Sequence, residues 1–259
     1  MAGRHAAEEP PGTSTPEFPA AVLFDLDDTL FAHRAAVESG VLAHRTSLGG
    51  ELAAADAAVE FARWTDLEEH HYHRYLSGEV GFLEQRRERA RGFVAPYGID
   101  LDDDAADAWF DGYLAGYRAA WSLHDDALPC LDELGRRRPG VRFGIITNGE
   151  LDFQTEKLDA VALSERVDSV VASGAVGIAK PDPRIFRLAC ELLAVRPEHA
   201  VYVGDRLHTD AIGAASAGLT GVWIDRRGTA TDADLAEAAT AGAHVIRSLD
   251  ELPELLLPA

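Results

Sequence analysis

Acidic residues gather where an apolar run stops. In AVLFDLDDTL, residues 21–30, four apolar residues lead straight into Asp25, with Asp27 and Asp28 close behind and Leu30 apolar again. Two readings compete for such a stretch: a turn in which Asp satisfies its own backbone, or a site that collects negative charge around a cation. Three further apolar runs lead into chemically capable residues. VRFGII is followed by Thr147, Asn148 and Gly149; VDSVVA leads through a glycine-rich loop to Lys180 and Pro181; AVYVG ends in Gly204 and Asp205, with Asp210 beyond. Taken singly, each group is ordinary turn or capping chemistry. Jointly they put at least three carboxylates at equivalent points of successive runs, where they repel one another unless a divalent cation and a lysine neutralise them. Oxygen ligands for a hard cation, with hydroxyl, amide and ammonium donors for an anion, have the makeup of a Mg²⁺ site facing a phosphate.

The elements that must position these residues are legible in the same runs. AVLF (21–24), VRFGII (141–146), VDSVVA (167–172), AVYVG (200–204), GVWI (221–224) and HVIRSL (244–249) read as strands separated by helical stretches. That alternation predicts an α/β fold, a parallel sheet wrapped by helices, in which ligands bind outside the carboxyl ends of the strands. FQTEKLDAVAL and PRIFRLACELLAV carry apolar residues at helical spacing, and Phe186, Leu188, Ala189, Leu192 and Leu193 are expected to pack on the sheet. Asp182, just before Pro183, is expected to cap its helix. Residues 32–122 break the alternation: they are helical in spacing, lack a convincing strand and are too long for a crossover loop. LDDDAADAWFD within them reads as an acidic helix start. The expected organisation is a leader over 1–18, an α/β core of 19–31 and 123–259, and an inserted helical domain over 32–122.

Composition bounds the partners. A chain of 259 residues, 47% hydrophobic, can bury a sizeable core. A formal charge of −20 repels nucleic acid and anionic membrane, yet a few local donors and a metal can still hold a small anion, because distant charge is screened. Cys130 and Cys190 stand in apolar helical contexts without a partner motif, which predicts two buried thiols and suits a reducing cytoplasm. The opening segment has no apolar core of signal-peptide length, its composition predicts disorder, and no later run approaches the roughly 18 apolar residues of a membrane span.

DLDDT, ITNG, the KPDP lysine and GDRLHTD, in this order and spacing, resemble the four signature motifs of the haloacid dehalogenase (HAD) superfamily, from about residue 20 to 226. The resemblance implies a Rossmann-like core and phosphoryl transfer through an aspartyl-phosphate. Asp25 would be the nucleophile. Mg²⁺ would be held by the Asp25 carboxylate, the Asp27 backbone carbonyl and Asp205, with Asp210 supporting it through water or Lys180. Asp27 would protonate the leaving alkoxide and then deprotonate the hydrolytic water. Thr147, nearby backbone amides and Lys180 would stabilise the transferring group, with Asn148 positioning that cradle. Halide needs no proton on leaving, so Asp27 argues for a phosphatase over a 2-haloacid dehalogenase. One departure stands out: Gly174 and Ala175 occupy a loop where many relatives carry an acid near the metal.

An insert between the first and second motifs is similar to the helical C1 cap of members that act on small molecules, and implies a small phosphorylated metabolite as substrate. Adjacent histidines face different sides of a helix, and His70, His71 and His73 have no evident fourth ligand, so no metal cluster is expected there. Arg86 and Arg87 admit two readings, reach toward a second anionic group of a substrate or a solvated charged face shared with Arg89 and Arg91. A phosphomutase, returning the phosphoryl group to substrate, is the alternative of a different class, and a silent binding protein on the same fold a third. The substrate and the oligomeric state are not encoded in any motif of the insert.

Overall fold

The computed structural model describes residues 19–256, so the expected leader over 1–18 lies outside the described residues. Six strands form one sheet: β1 (Ala21–Phe24), β2 (Arg142–Thr147), β3 (Ser169–Ala172), β4 (Ala200–Gly204), β5 (Thr220–Ile224) and β6 (His244–Ile246). Their order is β3-β2-β1-β4-β5-β6, and every pairing is parallel. The chain steps outward from β1 to β3 and then returns to lay β4 against the other side of β1. This reversal makes the carboxyl ends of β1 and β4 the switch point at which such sheets bind ligands.

Among the described residues the helices are α1 (His33–Leu48), α2 (Gly50–Ala54), α3 (Ala57–Leu76), α4 (Phe82–Val94), α5 (Asp103–Ala119), α6 (Ala127–Arg137), α7 (Leu151–Ala160), α8 (Ser173–Val176), α9 (Pro183–Leu192), α10 (Gly213–Ala217), α11 (Asp232–Thr240) and α12 (Leu252–Leu256). Two compact units divide the chain. One holds the residues through Asp25, Asp126–Gln154 and those from Glu165 onward; the other holds Leu26–Asp125 with Thr155–Ser164. The second unit is thus α1 to α5 plus most of α7.

In the sheet unit both central strands, β1 and β4, are buried along their whole length, which is why they are apolar runs without alternation. Leu23 and Tyr202 lie in one cluster with Phe186, Ala189, Cys190 and Leu193 around α9. Leu192, expected to join them, is 59% exposed. It precedes Leu193 by about 100° of helical turn, which carries it off the buried stripe. The α9 start behaves as its sequence predicts: Asp182 accepts from the Arg184 amide at 2.9 Å, with Pro183 in the first turn.

Two strands are shorter than their apolar runs. Asp168 breaks into β3, because its backbone amide donates to the Phe143 carbonyl while its carboxylate accepts from the Phe143 amide. At the end of β6, Ser248 and Glu251 form a reciprocal capping box that turns HVIRSL into a short 3-10 helix over Leu249–Glu251.

The helical unit has an aromatic core. Trp64 is fully buried, with its ring centroid 4.5 Å from Tyr113, 5.4 Å from Phe93 and 5.4 Å from Trp109. Asp56 and Asp102 cap α3 and α5 by accepting from backbone amides of the first turn. No helix among the described residues is long and apolar enough to cross a membrane.

Candidate active site

Asp25 leaves β1 at the switch point, with its amide donating to the Val203 carbonyl of β4 at 2.8 Å. Directly after β4, Gly204 and Asp205 follow, and the chain then winds into a π-helical turn, Leu207–Ile212, that brings Asp210 back. Gly204 is required by that return, since a Cβ there would lie 2.4 Å from the Asp210 carboxyl carbon. One ligand oxygen from each of Asp25, Asp205 and Asp210 lies within 4.8 Å of the others.

Lys180, on the loop before α9, binds this cluster together. Its buried ammonium donates to Asp25 Oδ1 at 2.6 Å, Asp210 Oδ1 at 2.7 Å and the Tyr202 hydroxyl at 2.7 Å. Burial alone would pull the lysine down, but Asp210 and Asp25 raise it above the ordinary amine value, so it stays charged. Burial first, then the same two carboxylates, push the Tyr202 phenol well above its usual value. Asp210 also accepts from the Arg206 amide at 2.9 Å through its other oxygen. Its oxygens are therefore engaged in fixing Lys180 and the loop.

Asn148 does a similar job from the end of β2. Its side-chain amide donates to the Lys180 carbonyl at 2.9 Å and its oxygen accepts from the Lys180 amide at 2.8 Å, clamping the two loops backbone to side chain. Thr147 is 2% exposed, and its hydroxyl accepts from Gln154 Nε2 at 3.0 Å, leaving its proton to be donated elsewhere. Where the sequence lacks an acid, at Gly174, the Glu150 carboxylate fills the space: a Cβ at Gly174 would meet its Cδ at 2.7 Å. Asp182 stays with Arg184 at the head of α9, and its carboxyl is lowered to about 2 by that guanidinium and the Arg184 amide.

Asp27 belongs to the helical unit. Lys157 of α7 donates to both its oxygens, at 2.8 and 2.9 Å, and His33 Nδ1 lies 3.6 Å away. The His33 ring in turn meets the Tyr117 hydroxyl at 2.8 Å. Arg86 lies over the Phe82 and Phe110 rings, at 4.2 and 5.1 Å from their centroids. The fork of Arg87 grips Asp107 at 2.8 and 2.6 Å and reaches Asp103 at 2.9 Å, tying α4 to α5. His71 pairs with Glu88 at 2.9 Å and His73 with Glu69, also at 2.9 Å, while the His70 and His71 rings meet edge to face with centroids 4.8 Å apart.

The donor set fits a hard divalent cation. Three carboxylates and one ammonium leave a local charge of about −2, and all the candidate ligand atoms are oxygens. Three supporting residues were not visible as such in the sequence. Tyr202 reads as a strand residue, Gln154 and Lys157 as one turn of an amphipathic helix; only their partners' positions reveal their roles.

Comparison with known proteins gives the family and the fold. The haloacid dehalogenase-like hydrolase family matches residues 19–218, and the chain belongs to that family. Its fold is the HAD core, a parallel six-stranded sheet flanked by helices, with a helical cap. Among curated relatives, the glyceraldehyde 3-phosphate phosphatase of Methanopyrus kandleri is 35% identical over 82% of this chain and 86% of its own length. The phosphoserine phosphatase of Thermus thermophilus is 43% identical, but the match spans only 42% of this chain and 43% of that protein. Among solved structures, a putative HAD-hydrolase of Bacillus subtilis bound to magnesium superposes with a TM-score of 0.74 at 20% identity, covering 93% of this chain and 99% of its own. A 2-haloacid dehalogenase of Pseudomonas syringae gives a TM-score of 0.61 at 27% identity, with 91% and 97% covered.

Proposed function

We propose that this chain is a Mg²⁺-dependent phosphatase that hydrolyses a small-molecule phosphomonoester through an aspartyl-phosphate on Asp25. The observation that carries the reading is the Lys180 ammonium bonded at once to Asp25 and Asp210, with Asp205 in the same carboxylate cluster. Asp25, Asp205 and the Asp27 carbonyl would hold the metal, whose charge would offset the repulsion between carboxylate and phosphate. Asp25 attacks phosphorus as the ester oxygen leaves, and needs no base because it is anionic at neutral pH. The positive charge of Lys180 and the Thr147 hydroxyl would stabilise the charge on the equatorial oxygens of the transferring group. Asn148 keeps the Lys180 backbone in place while this happens. Asp27 gives its proton to the departing alkoxide and later takes one from the water that hydrolyses the phosphoaspartate.

The helical unit would select the substrate, and Arg86 is our choice for a contact to a second anionic group. A reducing cytoplasmic setting suits the two buried thiols. The relatives named as phosphatases support this reaction over dehalogenation, and so does the acid at Asp27.

The test is a panel of phosphorylated metabolites assayed for phosphate release with Mg²⁺, with EDTA, and with Asp25→Asn. Turnover that requires Mg²⁺ and falls at least about 10³-fold in Asp25→Asn is expected for loss of a nucleophile. Halide release from 2-haloacids without phosphate release, or full activity in Asp25→Asn, would reject it.

A further inference from the structure

β5 contributes no residue to the proposed chemistry, yet the π-helical turn Leu207–Ile212, which follows Asp205 and contains Asp210, is built on it. The two pack so closely that a Cβ at Gly221 of β5 would lie 2.1 Å from the Ala211 carbonyl oxygen. Leu207 and Ala211 of the turn share one apolar cluster with Trp223 of β5 and Ala238 of α11. Trp223 brings a polar atom to that cluster: its Nε1–H donates to the main-chain carbonyl of Asp205 at 2.9 Å. The indole is 7% exposed, and an indole N–H so covered needs an acceptor. Gly204 and Trp223 are paired across β4 and β5, so the bond reaches one residue past the last position of β4, where the chain leaves the sheet. The Asp210 carboxylate is tied separately, by the Arg206 amide at 2.9 Å and the Lys180 ammonium at 2.7 Å.

We propose that Trp223 is the positioning residue for Asp205: its N–H fixes the peptide plane that follows this residue, and so fixes where the Asp205 carboxylate stands beside Asp25 and Asp210. This inference rests on the reading of Asp205 as a metal ligand and deepens it. A carboxylate presented on a fixed backbone has little freedom left to lose when a cation binds. One on a loose chain end must be ordered first, which weakens the affinity. Trp223 acts through the main chain of Asp205, and its apolar contacts with Leu207 and Ala211 hold the rest of the turn against β5.

A positioning role has a signature that mere packing lacks, because it is read in metal affinity. Trp223→Phe removes the N–H and keeps an aromatic ring in the cluster. Titrated in a calorimeter with Mg²⁺ alone, this variant should bind about tenfold more weakly than the parent, the low end of what loss of a supporting partner costs a metal site. Its metal-free form should still fold, melting about 2–4 °C lower for one lost hydrogen bond. Ala238→Gly trims the same cluster and leaves the N–H in place; it should lower the melting temperature and keep the parent's Mg²⁺ affinity. A second readout reports the bond itself. Trp64, Trp109 and Trp121 belong to the helical unit, and Trp223 is the tryptophan of the sheet unit. With isotope-labelled tryptophan, the indole N–H resonance that Trp223→Phe deletes should shift in the parent as Mg²⁺ is added.

Equal losses of Mg²⁺ affinity in Trp223→Phe and Ala238→Gly would make Trp223 a packing residue, and parental affinity in Trp223→Phe would remove any role. An indole resonance that stays still in the metal-loaded parent would break the link to Asp205. Each of these results overturns the proposal. Asp205→Asn separates the two levels of failure. If Asp205→Asn weakens Mg²⁺ binding and Trp223→Phe does not, the positioning role alone fails. If the parent takes up no Mg²⁺, or Asp205→Asn binds it as tightly as the parent, the metal reading of Asp205 fails, and this inference with it.

Discussion

An ammonium has three N–H donors, and at Lys180 all three meet oxygen acceptors: Asp25, Asp210 and Tyr202. A lysine so saturated has one orientation, which fixes where its positive charge sits beside Asp25. Tyr202 is the partner without charge, so its removal tests orientation separately from electrostatics. Tyr202→Phe should cost about 1.5–3 kcal/mol of stability, the range for a hydrogen bond to a charged group, measured by urea unfolding. Asn148 is the complementary device, acting on the Lys180 backbone instead of its ammonium. Motif spacing anticipated Asp25, Lys180 and Asp205 as one cluster; the phenol that completes the lysine's bonding had no signal beyond being a tyrosine in an apolar strand.

Strand ends are the elements that do the assembling. β1 and β4 are neighbours in the sheet although 175 residues separate Phe24 from the start of β4 at Ala200, so Asp25 and Asp205 emerge side by side. The loop after β5 and the turn after β6 are anchored differently, through Asp126 at the head of α6. Asp126 accepts from Arg226 at 2.8 and 2.9 Å, from the Ser248 hydroxyl at 3.0 Å and from the Leu249 amide at 2.9 Å. Burial pushes the Asp126 carboxyl up, but Arg226 and the Leu249 amide outweigh it and leave the group below the usual carboxylate range. A lowered value in the folded state means stability that is present above the unfolded carboxylate range and is lost as pH falls through the folded value. Asp126→Asn should therefore destabilise the protein by about 1–3 kcal/mol at pH 7, with the gap to the parent closing in strong acid; melting curves across pH would show it. The same scale explains the shortened strands: Asp168 and Ser248 each divert the backbone into side-chain bonds that an apolar run conceals.

For the molecule as a whole, the two cysteines are buried and free, which the sequence anticipated from their apolar settings. Burial is the first cause that pushes Cys130 up to about 12 and Cys190 up to about 11. Neither thiol is a nucleophile near neutral pH, since only the thiolate reacts. A thiol reagent at pH 8 should label neither cysteine in the folded protein and both once denaturant unfolds it. Early labelling of one would reveal an opening of the helix that carries it.

The charge of −20, the alternation of strand and helix and the four motif positions were all properties of the chain order, readable because period-two and period-3.6 patterns and turn residues act over a few neighbours. The partner of each polar group was not local. Lys157 and Asp27 are 130 residues apart in sequence, Lys180 and Asp25 are 155 apart, and Tyr202 meets Lys180 across 22. Which lysine meets which carboxylate is decided by strand order and by the return of α7 to the helical unit, because a buried charge takes its partner from whatever the packed chain brings within about 3 Å.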